Sequence, residues 1–276
     1  MRFAFKTSPQ DTAWGDMLAV WKAADDIDVF ESGWTFDHFY PIFSDPTGPC
    51  MEGWTTLTAL AQATTRLRMG TLVTGIHYRH PAVLANMAST LDIVSGGRLE
   101  LGIGAGWNEE ESGAYGIELG SPRERSDRFE EACEVIVGLL TQETTTFEGA
   151  YYRLTEARNE PKPVQRPHPP ICIGGSGERR TLRTAARFAQ HWNFVGGTTG
   201  DFAHKRDVLH QHCRDIGRDP GEILLSTHLF FTGDADATAE QAAAFAEVGA
   251  DLGIVYLRPP LDPAVLEPLA KALREI

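Results

Sequence analysis

The stretch ICIGGSGERRTLRTAARFAQHWNFVGG, residues 171–197, contains one complete repeat of the pattern that decides the fold. A short apolar run, ICIGG, precedes a helical segment, RRTLRTAARFAQ, and a second apolar run, HWNFVGG, follows it. Strand-like runs that alternate with helical periodicity are typical of parallel sheets covered by helices. The stretch therefore predicts a β-α-β unit.

The same alternation extends over almost the whole chain. Further strand candidates are RFAF (2–5), VFESGWTF (29–36), LRMGTLVT (67–74), RLELGIGAG (98–106), ILLSTHLFFT (223–232) and LGIVYL (252–257). Eight β-α units in 276 residues predict one α/β domain, 1–276, folded as a (β/α)₈ TIM barrel. An open doubly wound sheet is the alternative.

Two segments break the rhythm. TTTFEGAYYRLTEAR (144–158) carries two β-prone runs around Glu148-Gly149 and predicts a short inserted hairpin. NEPKPVQRPHPP (159–170) is rich in proline and predicts an extended linker. Local signals also predict a capping box at Ser121 and Glu124, and a later helix capped by Thr238.

Composition limits the partners and the compartment. The chain has 38 acidic and 25 basic residues and a formal charge of −13, which disfavours nucleic acid and anionic membranes as partners. It has no apolar run of 18 residues and no signal-peptide pattern at its start, so a soluble cytoplasmic protein is expected. The four cysteines include no CxxC pair, which indicates free thiols.

In a TIM barrel the active site lies where the strands end, so the residues after each predicted strand are the site candidates. Asp37 and His38, in WTFDHFYP, follow the second strand. His38 can exchange a proton near neutral pH, and an adjacent acid can orient it, although a simple capped turn would use the same residues. Gly104 and Gly106 would let a flat ring approach the backbone, with Trp107 and Asn108 beside it.

The turn GGSG, residues 174–177, joins a strand to the start of a helix. Its small residues leave backbone N–H groups open to a phosphate, together with the Ser176 hydroxyl and Arg179 or Arg180. The pattern is neither a P-loop nor a dinucleotide fingerprint, and a plain tight turn is the other interpretation.

Taken together, these motifs resemble the luciferase-like monooxygenase superfamily, and within it the oxidoreductases that use the deazaflavin coenzyme F420. WTFDHFYP, TLVTGIHYRHPAVLANMASTLDIVSGGRLELGIGAGWNEEE and PPICIGGSGERR carry the resemblance, which extends over nearly the whole chain. It implies a bacterial luciferase-like barrel, a cofactor across the C-terminal rim, a small-molecule substrate and a homodimer.

The resemblance also assigns site residues. It implies that His38 is catalytic, that Asp37 contacts the polar edge of the ring, and that a non-prolyl cis peptide lies at Thr71-Leu72 or a close neighbour. The other cofactor contacts that it implies are Thr74, Ala105, Gly106, Gly174, Gly175, Ser176 and Gly177. In one branch of the family an acid directly follows the fourth-strand glycines. Trp107 stands there in this chain, so Glu109, or Glu110, is the candidate displaced acid.

The sequence thus predicts hydride transfer between F420 and a small organic substrate, without a metal. Three alternatives stay open. The first is an FMN-dependent monooxygenase that uses a separate reductase, because FMN carries a phosphate that the same turn could bind. The second is a binding protein without turnover, suggested by the missing acid. The third is a metal-dependent hydrolase that uses His38, His77 and His80.

Overall fold

The computed structural model describes residues 1–42 and 44–276. Eight parallel strands close into a barrel in the order β1-β10-β9-β8-β7-β4-β3-β2, which confirms the predicted (β/α)₈ fold and excludes the open sheet. The barrel strands are β1 (Arg2–Thr7), β2 (Phe30–Asp37), β3 (Arg68–Gly75), β4 (Leu99–Gly104), β7 (Ile171–Gly174), β8 (His191–Phe194), β9 (Leu224–Phe230) and β10 (Leu252–Leu257).

Helices connect the strands and cover the outside of the barrel. They are α1 (Trp14–Asp25), α2 (Gly53–Ala63), α3 (Pro81–Val94), α4 (Glu109–Ala114), α5 (Pro122–Thr141), α6 (Thr181–Phe188), α7 (Thr199–Asp215), α8 (Ala235–Glu247) and α9 (Leu266–Leu273). Short 3₁₀ turns precede β9 at Pro220–Glu222 and α9 at Pro263–Val265.

Alternation along each strand separates two cores. Phe3 and Phe5 of β1 pack in the large apolar layer between strands and helices, whereas Ala4 lies in a smaller cluster inside the barrel. Trp34 and Leu72 belong to that inner cluster. Because side chains alternate with a period of two, Lys6 shares the inward face with Ala4. The barrel interior is thus filled below its upper rim, and that rim is where a cavity can form.

Most of the local predictions agree with the structure. The hairpin forms from β5 (Thr145–Glu148) and β6 (Arg153–Ala157), and the capping box of α5 pairs Ser121 with Glu124. The predicted cap of α8 is wrong, because Asp234 caps this helix by accepting from the backbone N–H of Ala237 at 3.0 Å. Thr238 lies inside the first turn, where its hydroxyl donates to the Asp234 carbonyl at 2.8 Å.

The non-prolyl cis peptide joins Leu72 and Val73, one residue beyond the predicted bond. It lies near the end of β3, on the rim where the strands finish. In the part of the chain that the structure describes, no helix is both long and apolar enough to cross a membrane.

Candidate functional site

A cavity of about 400 Å³ opens at the C-terminal rim of the barrel. Every barrel strand except β10, or the turn after it, contributes to its wall. The lining residues are Lys6, Phe36, His38, Ile42, Leu72, Val73, Gly75, Tyr78, Gly104, Ala105, Gly106, Trp107, Gly174, Gly175, Thr181, Asn193, Val195 and His228. Its surface is mostly apolar, with a few polar groups, as in sites that bind small molecules.

His38 and Glu111 form the central polar contact of this cavity. Nδ1 of His38 lies 2.7 Å from a carboxylate oxygen of Glu111, and both side chains are buried. Glu111 also accepts from the backbone N–H of Phe39 at 2.5 Å and from the Tyr78 hydroxyl. Burial alone would raise the pKa of Glu111, but the hydrogen bonds from His38, Phe39 and Tyr78 hold it below its usual value. An ionised Glu111 therefore fixes the Nδ1–H form of His38.

The short helix α4 decides which glutamate reaches His38. Asn108 caps it by accepting from the backbone N–H of Glu111 at 3.1 Å, which places Glu111 on the inward side of the first turn. Glu109 points to solvent with 83% of its side chain exposed, and its closest ion-pair contact, to Arg125, is 4.0 Å long. Of the three consecutive glutamates, Glu111 is therefore the one that contacts His38, whereas Glu109 and Glu110 are exposed. The buried Asn108 acts as a helix cap and does not line the cavity.

Asp37 lies away from the cavity. Its carboxylate is fully buried and pairs with the Arg79 guanidinium, which also contacts Glu52 at 3.2 Å. The predicted contact of Asp37 with a ring edge has no support in this arrangement. Its role in the structure is to attach the end of β2 to the loop that follows β3.

Thr71 and Thr74 also face away from the cavity. Their hydroxyls lie 2.9 Å apart, Thr71 contacts the Gly102 carbonyl at 3.0 Å, and Thr74 accepts from the Trp54 indole at 2.9 Å. These contacts tie β3 to β4 and α2. The cavity is instead lined by their neighbours Leu72 and Val73, which the cis peptide joins.

Along one edge of the cavity the wall is formed by glycines, which have no side chains. A Cβ at Gly104 would lie 2.8 Å from Val73, and one at Gly174 would lie 3.0 Å from the same side chain. Gly106 has a φ of +86°, and a Cβ there would lie 2.3 Å from His77. A side chain at Gly104 or Gly106 would force a neighbour to move, and one at Gly174 would be tight. The absence of side chains here lets a flat ligand approach the backbone between β4 and β7.

The turn after β7 leads into a second, more open cavity of about 570 Å³. Ser176, Gly177 and Arg179 line it, and Thr181 lines both cavities. No side chain caps the start of α6, and in its first turn the N–H of Leu182 already donates to the Gly177 carbonyl at 3.0 Å. The other N–H groups of that turn are the ones that can meet an anion. Among the described residues Arg179 has no ion-pair partner, whereas Arg180 pairs with Asp127. The predicted phosphate turn thus divides, with Gly174 and Gly175 in the first cavity and Ser176 and Gly177 in the second.

Sequence reasoning missed five polar side chains on the cavity wall: Lys6, Tyr78, Thr181, Asn193 and His228. Lys6 Nζ donates to the Leu72 carbonyl at 3.1 Å and lies 3.5 Å from Nε2 of His228. Burial lowers the pKa of Lys6 to about 7, and burial together with Lys6 holds the pKa of His228 well below its usual value. The alternation of RFAFKT would have placed Lys6 inside the barrel.

The three histidines of the metal-hydrolase alternative do not converge. His77 contacts the Ser112 hydroxyl at 3.1 Å, and burial lowers its pKa to about 4. His80 caps α3 through Nδ1, which accepts from the backbone N–H of Ala82 at 3.2 Å. Within residues 1–42 and 44–276, no three His, Cys, Asp or Glu side chains form a group able to hold a metal ion.

The arrangement of barrel, rim cavity and glycine-edged wall has a counterpart among known families. The sequence profile of the family described as luciferase-like monooxygenase matches residues 1–271. The chain belongs to this family. The superfamily resemblance predicted from the sequence is thereby confirmed.

Within the luciferase-like monooxygenase family, relatives use different cofactors. An F420-dependent glucose-6-phosphate dehydrogenase of Microbacterium testaceum is 30% identical over 246 residues, 87% of this chain and 71% of that protein. An FMNH(2)-dependent dimethylsulfone monooxygenase of Pseudomonas putida is 36% identical over 119 residues, 43% of this chain and 32% of that protein. The chain spans about half the length of the first curated relatives that it matches.

A solved structure shows the same fold as this luciferase-like monooxygenase chain. An F420-dependent secondary alcohol dehydrogenase in complex with an F420-acetone adduct superposes with a TM-score of 0.84 at 20% identity. The match covers 97% of this chain and 98% of that one.

The site of this family member fits a tricyclic ring with a phosphate-bearing side chain. The apolar cavity has a glycine edge where a Cβ would clash, and Thr181 connects it to the uncapped start of α6. Asn193 also lines this cavity, and its buried Oδ1 has no hydrogen-bond partner among the described residues.

Proposed function

We propose that this chain is an F420-dependent oxidoreductase that transfers a hydride between the deazaflavin and a small organic substrate. The His38–Glu111 pair carries the proposal, because it places an oriented imidazole on the wall of an apolar cavity. F420-dependent relatives, among them the glucose-6-phosphate dehydrogenase, support the choice of cofactor. A homodimer and a small-molecule substrate belong to the same proposal.

The chain's residues divide the binding task between two regions. Ser176, Thr181 and the first N–H groups of α6 would hold the phosphate, with Arg179 supplying positive charge. Ala105 and Gly106 would border the ring, and Val73 would support it from β3. When bound, the deazaflavin supplies the carbon that gives or accepts the hydride.

His38 accepts or donates the proton that accompanies the hydride. Glu111 accepts at Nδ1, so Nε2 is the nitrogen left for a ligand in the cavity. In the neutral ring Nε2 accepts a proton from a substrate hydroxyl, and in the protonated ring it donates one to a substrate carbonyl. Glu111 stabilises the protonated ring in either direction. General acid-base help of this kind contributes about 10²- to 10⁴-fold to a rate.

An FMN-dependent monooxygenase is the second candidate. The family includes an FMNH(2)-dependent relative, and the uncapped start of α6 suits the phosphate of either cofactor. A binding protein without turnover has less support, because Glu111 contacts His38 and would serve as the acid that the sequence lacks directly after the fourth-strand glycines.

A binding titration tests the proposal. Purified protein is titrated with oxidised F420 and, separately, with FMN, and Kd is read from the quenching of tryptophan fluorescence. We expect tighter binding of F420, and Trp107 on the rim of the cavity makes the fluorescence sensitive to occupancy. Tighter binding of FMN would support the monooxygenase instead.

Turnover is tested with reduced and oxidised F420 against panels of carbonyl compounds and alcohols. His38→Gln should abolish most turnover while F420 still binds, and His210→Gln, on α7 outside the cavity, is the matched control. Unchanged turnover in His38→Gln would show that the proton follows another route. Light scattering of the same samples measures the oligomeric state.

A further inference from the structure

Lys6 is a buried lysine that has no acidic partner among the described residues. Its side chain lies on the inward face of β1, and only 6% of the residue is exposed. Its hydrogen-bonding neighbours are a neutral carbonyl, that of Leu72, and the ring of His228. Among the described residues no carboxylate lies within ion-pair distance of Nζ. A buried charge is costly unless it is paired, so such a lysine on a cavity wall indicates an anionic ligand.

The barrel places Lys6 opposite the phosphate turn. In the closed order of eight strands, β1 lies four strands from β7 in either direction. A ligand anchored by its phosphate beyond the end of β7 and extending into the cavity therefore brings its ring toward β1. The charge that Lys6 would neutralise thus belongs to the ring and is separate from the charge of the phosphate.

The two candidate cofactors differ in the charge of that ring. The 8-hydroxy-5-deazaflavin of F420 carries a phenol-like hydroxyl that ionises near neutral pH and spreads negative charge over the tricycle. FMN carries methyl groups on that ring, and its oxidised ring is neutral. Both rings share an imide N–H between two carbonyl groups.

Asn193 offers an acceptor suited to that shared N–H. Nδ1 of His191 contacts the Glu100 carboxylate at 3.2 Å, so in the neutral ring Nε2 accepts from the Ser226 hydroxyl at 2.6 Å. Ser226 in turn accepts from Nδ2 of Asn193 at 2.9 Å. This chain of hydrogen bonds fixes the amide orientation. Oδ1 of Asn193, a residue of the cavity wall, is left without a partner in the described part of the chain.

We propose that Lys6 is the counter-charge for the ionised deazaflavin ring and that it makes the site select F420 over FMN. The inference rests on the proposed function and adds the residue that sets cofactor choice. Asn193, by contrast, presents an acceptor that both rings can use. Selectivity and general ring affinity are thereby assigned to different side chains.

Protonation of Lys6 gives a readout that is independent of turnover. Two titratable groups face Nζ: His228 of β9, and Tyr256 of β10, with the centre of the tyrosine ring 5.2 Å from Nζ. The residues that β2 and β3 place on this cavity wall include the apolar Phe36 and Leu72. With a pKa of about 7, Lys6 is mostly neutral at pH 8. An anionic ring beside it raises that pKa, so binding takes up a proton.

The experiment measures Kd for F420, FMN and the phosphate-free 8-hydroxy-5-deazaflavin nucleoside. Lys6→Met should weaken F420 and the nucleoside by at least about tenfold, the size expected for a lost hydrogen bond to a charged group, and leave FMN nearly unchanged. Asn193→Ala should weaken both cofactors alike. Lys22→Met, at an exposed position of α1, is the control.

Calorimetry at pH 8 in two buffers of different ionisation enthalpy supplies the second readout. The natural protein should take up a large fraction of a proton on binding F420, and Lys6→Met should lose that uptake. This readout on the natural protein keeps the inference testable if the variant fails to fold, and Lys6→Gln provides a second variant.

The outcomes separate the two proposals. A natural protein that does not prefer F420 overturns the proposed function and this inference with it. If the natural protein prefers F420 but Lys6→Met keeps the same preference, this inference alone is overturned. The same holds if the natural protein prefers F420 but takes up no proton on binding it.

Discussion

Nδ1 of His38 and the carboxylate of Glu111 lie 2.7 Å apart, although 73 residues separate them in the chain. The contact joins the end of β2 to the short helix after β4. The contact defines the tautomer of His38, because the Glu111 carboxylate accepts the hydrogen bond and Nδ1 of the imidazole donates it.

Glu111→Gln should lower kcat with little change in the Kd of F420. A neutral amide cannot stabilise a protonated His38 as the carboxylate does. In addition, the amide NH₂ group would face a group that donates to Glu111 in the natural protein, such as the backbone N–H of Phe39. We expect a loss of about 10²-fold, the lower end of general acid-base effects.

Glu109→Gln is the matched control for this variant, since it makes the same change two residues away on an exposed side chain. It should retain the kcat of the natural protein. A large loss in Glu109→Gln with none in Glu111→Gln would reverse the assignment.

Gly106→Ala should destabilise the protein and disturb the cavity. Gly106 has a φ of +86°, and the added Cβ would lie 2.3 Å from Nδ1 of His77. The left-handed backbone alone costs an alanine about 1 kcal/mol, and the displaced His77 adds to that. We expect a loss of at least about 2 kcal/mol in the free energy of unfolding, measured with urea.

Gly113→Ala is the control for this substitution. Gly113 lies in α4, and a Cβ there meets no atom within 4 Å. Alanine should stabilise the helix by up to about 1 kcal/mol. Equal effects of the two substitutions would show that Gly106 is not held by its conformation.

Glu100 should make stability depend on pH in acid. Burial alone would raise the pKa of Glu100, but the contacts with His191 and Arg68 have the larger effect and lower the pKa to about 2. A depressed pKa gives stability that is present above the unfolded value of 4.5 and is lost as pH falls toward 2. The difference is worth roughly 3 kcal/mol.

Glu100→Gln should therefore be less stable than the natural protein at pH 7, and the gap should close between pH 4.5 and 2. Urea unfolding at a series of pH values measures it. Glu240→Gln, at an exposed position of α8, should show no such pH-dependent gap. A gap that is constant with pH would mean that the Glu100 charge is not what stabilises the fold.

The barrel could be predicted because its signals are local. Each β-α unit shows its strand and helix within about 30 residues, and closure follows from eight such units. The position of His38 on the rim follows from the same reasoning, since it comes directly after β2. The hairpin and the α5 capping box were likewise set by neighbours in sequence.

The partners of the site residues could not be predicted in the same way. Which of three consecutive glutamates turns inward depends on where α4 begins, and a one-residue change in that start would present a different side chain. The family resemblance implies that Asp37 contacts a ring edge, but its carboxylate pairs with Arg79, 42 residues away. Such contacts are decided by tertiary packing, which periodicity does not reveal.

Lys6→Met should stabilise the protein, and by an amount that depends on pH. Burial lowers the pKa of Lys6 from 10.5 to about 7, so the unfolded chain binds the extra proton between these values. The stability of the natural protein then rises with pH over that window, and the variant lacks this rise. Its advantage should be largest below pH 7, on the order of 3 to 5 kcal/mol, and should shrink toward pH 10.5.

Urea unfolding of the two proteins from pH 6 to pH 10 measures this advantage, and Lys22→Met shows the effect of removing an exposed lysine. A constant difference would mean that Lys6 keeps its charge when buried. Saturating F420 should reduce the advantage, because the bound anionic ring stabilises the natural protein more than the variant. Lys6 would then lower the stability of the free protein and be stabilised by the bound cofactor. Such a residue is expected when it is retained for cofactor selection and not for stability.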